Sequence, residues 1–132
     1  MGDAVEWAEA QGEGGKISSV LKRTNALVRL DPRGQEQLLA ANLTGLLIVV
    51  AAQRPPFHAA LVDRYLVAAT RQRLKAVILV TKTDLGVPAT VERELASRAR
   101  LELHVIRLNA TDVEGTHEVR DLLARSENAG PW

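Results

Sequence analysis

A chain of 132 residues that is 46% apolar but only 3% aromatic can bury one modest core, and that core must be aliphatic. Seventeen basic against sixteen acidic residues leave a net charge of +1, so the overall balance does not mark a nucleic-acid binder, although local clusters can. The absence of cysteine excludes disulfides and thiolate metal sites, and the scattered His58, His104 and His117 lack ligand spacing.

The opening MGDAVEWAEA has acidic residues and no long apolar run, unlike a signal peptide. The apolar run at 46–52 is too short to span a membrane, and a cytoplasmic location is expected. Residues 4–7 alternate in strand fashion, 11–15 form a glycine-rich turn, and 16–21 and 26–29 read as two further strands joined by a polar stretch at 22–25. These three short strands predict a small antiparallel β unit over residues 1–34, too small to close a core alone. Residues 31–35 read as a connector.

The rhythm then changes. Residues 46–50 are continuously apolar, as in a strand covered on both faces. Pro55-Pro56 marks a turn, and Leu61, Val62, Tyr65, Leu66 and Ala69 recur at helical spacing within 58–73. A second buried strand is predicted at 76–80, a helix at 88–100 with Pro88 in its first turn, a strand at 102–108 and a helix at 115–125. The tail 126–132 is expected to fray. The order β-α-β-α-β-α predicts an α/β fold with a parallel sheet. One edge of a three-stranded sheet lacks a neighbour, so self-association through it is an expectation.

Ligands of open α/β sheets bind beyond the carboxyl ends of the strands. The second strand ends there in Thr81-Lys82-Thr83-Asp84, and the third in Asn109-Ala110-Thr111. One carboxylate can accept both the N1–H and the 2-amino group of guanine, a pair adenine does not offer. In that reading Asp84 reads the base, the stem of Lys82 lies over it, Thr81 fastens its loop to the neighbour, and the N–H of Ala110 reaches O6. The plainer alternative is that Asp84 or Thr83 caps the next helix, worth about 1 kcal/mol.

With these motifs in hand, the sequence resembles the circularly permuted ribosome-biogenesis GTPases known as RsgA. The resemblance is carried by GDAVEW at 2–7, GKISSVLKRTNALVR at 15–29, AANLTGLLIVVAA at 40–52, PPFHAALVDRYLVAA at 55–69, VILVTKTDL at 77–85 and NATDVEGTHEVRDLL at 109–123. It implies an OB-fold whose closing strands would be residues 1–34, and a permuted P-loop-type GTPase domain whose first part would be 42–127. It implies GTP or GDP as ligand, and the small ribosomal subunit with its rRNA as partner. Thr81, Lys82, Thr83 and Asp84 fall on the family's base motif, and Asn109 and Ala110 on its second base-contacting loop. Thr81 departs from the usual Asn, and Asn109 from a small hydroxyl residue. No G-x-x-x-x-G-K-[ST] phosphate loop occurs in the 132 residues, so the chain alone is not expected to hydrolyse GTP. Magnesium and zinc are implied only for a complete family protein.

A second reading is a non-catalytic RNA-binding fragment, using Lys16, Lys22, Arg23, Arg29 and Arg33 around the β unit. A solvated basic edge that discourages aggregation accounts for the same residues. A third is an α/β remnant with no ligand.

Overall fold

The computed structural model describes residues 2–9, 14–112 and 116–128. The chain divides into two compact units, residues 1–43 and 44–132. The turn expected at 11–15 is described only at Gly14 and Gly15, and the end of the tail, 129–132, lies outside the described residues.

Among the described residues the first unit holds four strands, where the sequence predicts three. Strands β1 (Val5–Glu9) and β2 (Gly15–Val20) pair antiparallel, with a bulge between Glu6 and Trp7 that still sets Trp7 opposite Ile17. Strands β3 (Ala26–Leu30) and β4 (Glu36–Ala41) form a second antiparallel pair. The expected connector at 31–35 is the turn of this hairpin. Its form is dictated by Asp31, whose carboxylate accepts the backbone N–H groups of Arg33 and Gln35, each at 2.8 Å. Gly34 completes the turn at φ +77°, where a side chain would be strained. Two asparagines then bind the unit's loops together. Asn25 exchanges two hydrogen bonds with the backbone of Leu43, at 2.8 and 2.7 Å. Asn42 accepts from the N–H and hydroxyl of Thr24, at 2.9 and 3.1 Å, and donates to the carbonyl of Gly2 at 2.8 Å.

The second unit carries the parallel sheet. Strands β5 (Gly45–Ala51), β6 (Lys75–Thr81) and β7 (His104–Arg107) lie in that order, with Ile48 beside Ile78 and Leu79 beside Ile106. Their aliphatic side chains alternate between two covered faces. Ile48, Val50, Ile78 and Val80 pack with Val62 of α1 (Ala59–Arg71) and with Val91 and Leu95 of α2 (Ala89–Ala99). Val77, Leu79, Ile106 and Leu108 pack on the other face, with Val119 and Leu122 of α3 (His117–Asn128) against them. Among the described residues a single helix covers that second face, and at the β5 end of it Val49 is 58% exposed.

The bounds of α1 and α2 follow the predicted periodicity within a residue or two, with Pro88 at the N-cap of α2 rather than in its first turn, whereas α3 runs to Asn128, three residues past the predicted end and into the stretch expected to fray. Strand β7 is shorter than the predicted 102–108, because the chain leaves α2 through a tight turn. Leu101 and Glu102 donate back to the carbonyls of Arg98 and Ala99, and Glu102 adopts φ +60°.

Charge also ties the two helices of the first face. Arg98 on α2 is 7% exposed and donates to both carboxylate oxygens of Asp63 on α1, each at 2.9 Å, and to Glu94 at 2.7 Å. Burial alone would lower its pKa; the hydrogen bonds to Glu94 and Asp63 outweigh that and raise it, so the guanidinium stays charged. Among the described residues no helix is long and apolar enough to cross a membrane.

Candidate functional site

Three loops meet at the carboxyl end of the sheet. Parallel register carries β5 and β6 to the same height, and Ala51 sits beside Thr81. The backbone of Ala52 donates to the carbonyl of Thr81 at 2.9 Å, and the Thr81 hydroxyl donates to the carbonyl of Val50 at 3.1 Å. The hydroxyl thus braces the end of β6 to β5. On the other side Leu108 donates to Val80 at 2.8 Å, and Thr83 donates to Leu108 at 3.5 Å, the latter a long and weak bond.

Lys82 turns the chain out of the sheet. Its φ of +58° and ψ of +38° are left-handed, a conformation that costs a non-glycine residue about 1–2 kcal/mol and that a local tether must offset. The tether is its own side chain, whose ammonium donates to the carbonyl of Arg54 in the loop after β5. Residues Thr83–Leu85 then form one turn of 3₁₀ helix, closed by Leu85 N–H to Lys82 at 3.2 Å and Gly86 N–H to Thr83 at 3.0 Å. Gly86 sits at φ +82° and ψ +152°, a region essentially reserved for glycine.

Asp84 stands on this turn, exposed, with no hydrogen bond or ion pair among the described residues. Helix α2 begins at Pro88 without a side-chain cap, and the 3₁₀ turn has none either. Neither Asp84 nor Thr83 therefore performs the capping role that was the plainer reading of the motif. The side chain of Asn109 folds onto its own loop, accepting from the N–H of Thr111 at 3.1 Å and from its hydroxyl at 2.7 Å. Ala110 between them is exposed, and its N–H has no partner among the described residues.

A residue the motif does not include also belongs to this cluster. Gln53, two positions past β5, donates from its amide nitrogen to the carbonyls of Leu85 and Gly86, both at 2.8 Å. In sequence it is one polar residue of the turn QRPP, and its partners lie more than thirty positions away, so no local signal marks it.

The five basic residues proposed for RNA lie in the first unit and are engaged unevenly. Arg23 is paired to both carboxylate oxygens of Asp3, at 2.6 and 3.1 Å, and this hydrogen bonding holds the Asp3 carboxyl below its ordinary value. Arg29 donates to the side chain of Gln37 at 2.5 Å. Lys16, Lys22 and Arg33 are exposed. Trp7 is 64% exposed, and its ring lies against Gly15, where an added Cβ would fall 2.6 Å from it. Among the described residues no group of three or more His, Asp or Glu stands close enough to hold a metal ion.

The family model described as RsgA GTPase matches residues 20–129, most of the chain. The chain belongs to the RsgA GTPase family. Among its curated relatives, a "Small ribosomal subunit biogenesis GTPase RsgA" from Chlorobaculum tepidum is 35% identical over 93% of this chain and 43% of its own length. One of the same name from Azotobacter vinelandii is 36% identical, over 92% of this chain and 36% of its own. The chain thus spans less than half the length of the RsgA proteins it matches. Two solved structures share its fold. YjeQ from Thermotoga maritima superposes with a TM-score of 0.70 at 24% identity, over 92% of this chain and 42% of that one. The circularly permuted GTPase YloQ gives 0.63 at 23%, over 94% and 41%.

Proposed function

We propose that this chain is the guanine-recognition part of a circularly permuted GTPase that acts in maturation of the small ribosomal subunit. The observation that carries the reading is the exposed carboxylate of Asp84, without a partner among the described residues, on a turn bonded to Gln53 on one side and Leu108 on the other. A carboxylate so placed can accept two donors from one edge of a guanine. The stem of Lys82 is available to the base plane, and the N–H of Ala110 to a carbonyl oxygen. Residues 1–34 contribute the closing strands of an OB-like unit, and 42–127 the first part of the GTPase domain. GTP and GDP are the ligands of the whole protein, hydrolysis is its reaction, and the cytoplasm its place. The 132-residue chain binds the base weakly, because it contains no phosphate-loop sequence to hold the phosphates.

Titration with GMP and with AMP, followed by NMR at millimolar ligand, tests the reading. GMP is expected to saturate at a concentration at least tenfold below AMP. Equal binding of the two, or none of either, counts against base recognition.

Partners follow the same reading. The small ribosomal subunit and its rRNA are the targets of the whole protein, with Lys16 and Lys22 the exposed lysines of the first unit. If they contact RNA, Lys16→Glu with Lys22→Glu weakens a salt-dependent RNA affinity about tenfold or more. A filter-binding series that shows no change would remove that contact. The outer edge of β5 has no strand beside it among the described residues, and it is there that a second copy of this chain would add. Sedimentation at rising concentration tests that association.

A further inference from the structure

We propose that Gln53 is a positioning residue for guanine selection, acting through Asp84; the inference rests on the base-recognition reading above. The turn that carries Asp84 has three residues and two backbone hydrogen bonds of its own. So short a 3₁₀ segment does not hold its orientation unaided. Its start is fixed by β6, through the Thr81 bonds to β5. Its end is fixed by Gln53. An amide NH₂ group has two donors, and here they meet two carbonyls at 2.8 Å, those of Leu85 and Gly86, which follow Asp84 directly.

Gln53 is itself well placed to do this. The preceding Ala52 is 1% exposed, and its N–H is bonded to Thr81. The amide therefore extends from a turn whose preceding residue is buried and bonded to the end of β6. The tie also runs in the opposite direction, since Lys82 donates to the carbonyl of Arg54, next to Gln53. One bond set holds the turn ahead of Asp84 and the other holds it behind. Bidentate acceptance from a purine needs both oxygens in the plane of the base, so a small rotation of the turn loses one bond before the other.

The chemistry fixes which residue types can serve. The partners at position 53 are two acceptors, so the side chain must donate. Methionine has nearly the same length and no donor. Glutamate has the same shape but would set its own oxygens against the two carbonyls.

The test uses GMP and IMP, which differ only in the 2-amino group, titrated into the 132-residue chain and followed by NMR shifts. The unaltered chain is expected to prefer GMP by about tenfold, because IMP leaves one Asp84 oxygen without its partner. In Gln53→Met the preference falls to within about twofold, with most of the loss in GMP affinity. Gln53→Glu falls at least as far. When Asp84 is already Asn, Gln53→Met changes the GMP:IMP ratio no further, as expected of a residue that acts through that carboxylate. A Gln53→Met chain that keeps its full GMP:IMP ratio, or that loses GMP and IMP affinity equally, overturns the positioning role and leaves base recognition standing. An unaltered chain with no preference between GMP and IMP overturns base recognition itself, and the role of Gln53 with it.

Discussion

Asp84→Asn is expected to exchange guanine for xanthine. The substitution keeps the size of the side chain but turns one acceptor oxygen into an NH₂ donor. Against guanine, that donor faces the 2-amino group, so one hydrogen bond is lost and two donors oppose each other. Against xanthine, the same donor meets a carbonyl. A site that loses a bond to a charged group gives up about 1.5–3 kcal/mol, and the opposed donors add to that. The ratio of GMP to XMP affinity should therefore invert, by about a hundredfold in all. Because Asp84 is exposed and makes no bond among the described residues, folding should be nearly untouched. The two effects separate cleanly: a changed ratio with an unchanged melting temperature is the signature of a residue that reads the ligand. An unchanged GMP:XMP ratio would mean that some other group reads the base edge.

Ile78→Ala should produce the largest loss of stability. Ile78 is fully buried at the centre of β6, between Ile48 of β5 and Val105 of β7. Truncation removes three carbons from the middle of an aliphatic core, and the neighbours on both strands are held by ladder bonds and cannot close the gap. Such substitutions cost about 2–5 kcal/mol, and this position belongs in the upper half of that range. A domain of this size has about 5–10 kcal/mol of stability in total. Thermal unfolding followed by circular dichroism should shift down by about 15 °C or more. Val49→Ala, one residue along the neighbouring strand from Ile48 but 58% exposed, provides the control and should shift by no more than a few degrees. Equal shifts in the two would contradict the placement of the core.

The two kinds of strand differ in how well they can be read from sequence. Strand β6 announces itself because both faces are covered, so five consecutive aliphatic residues have no other use; β5 carries the same run although its second face is open at Val49. Strand β4 does not. It opens with Glu36 and Gln37 and then runs Leu38-Leu39-Ala40-Ala41, with no alternation to give a period of two. Asp31-Pro32-Arg33-Gly34 before it carries turn chemistry, and a turn looks the same whether it leads to a paired strand or away from one. Pairing with β3 across the hairpin decides the matter.

The site divides along similar lines. The place of Asp84, on an exposed turn at the carboxyl end of a buried strand, is legible because strand ends are themselves informative in an α/β sheet. The brace from Thr81 is legible because a hydroxyl at a strand end has a neighbouring carbonyl within reach. The left-handed turn at Lys82 and the clasp from Gln53 are not legible, since each depends on where the loop after β5 lies once the strands have paired. The reading of Arg23 as an RNA contact meets a competitor that the sequence hides, because Asp3 is twenty residues away and reaches it only through the folded β unit.

The most direct measurement is an amide-resolved NMR titration of the chain with GMP, with AMP as the control. Resonances of residues 81–86 and 109–112 should move with GMP and stay in place with AMP, while those of the first unit, residues 1–43, stay in place with both. Movement confined to other residues, or equal movement with the two nucleotides, would contradict the assignment of these loops to guanine.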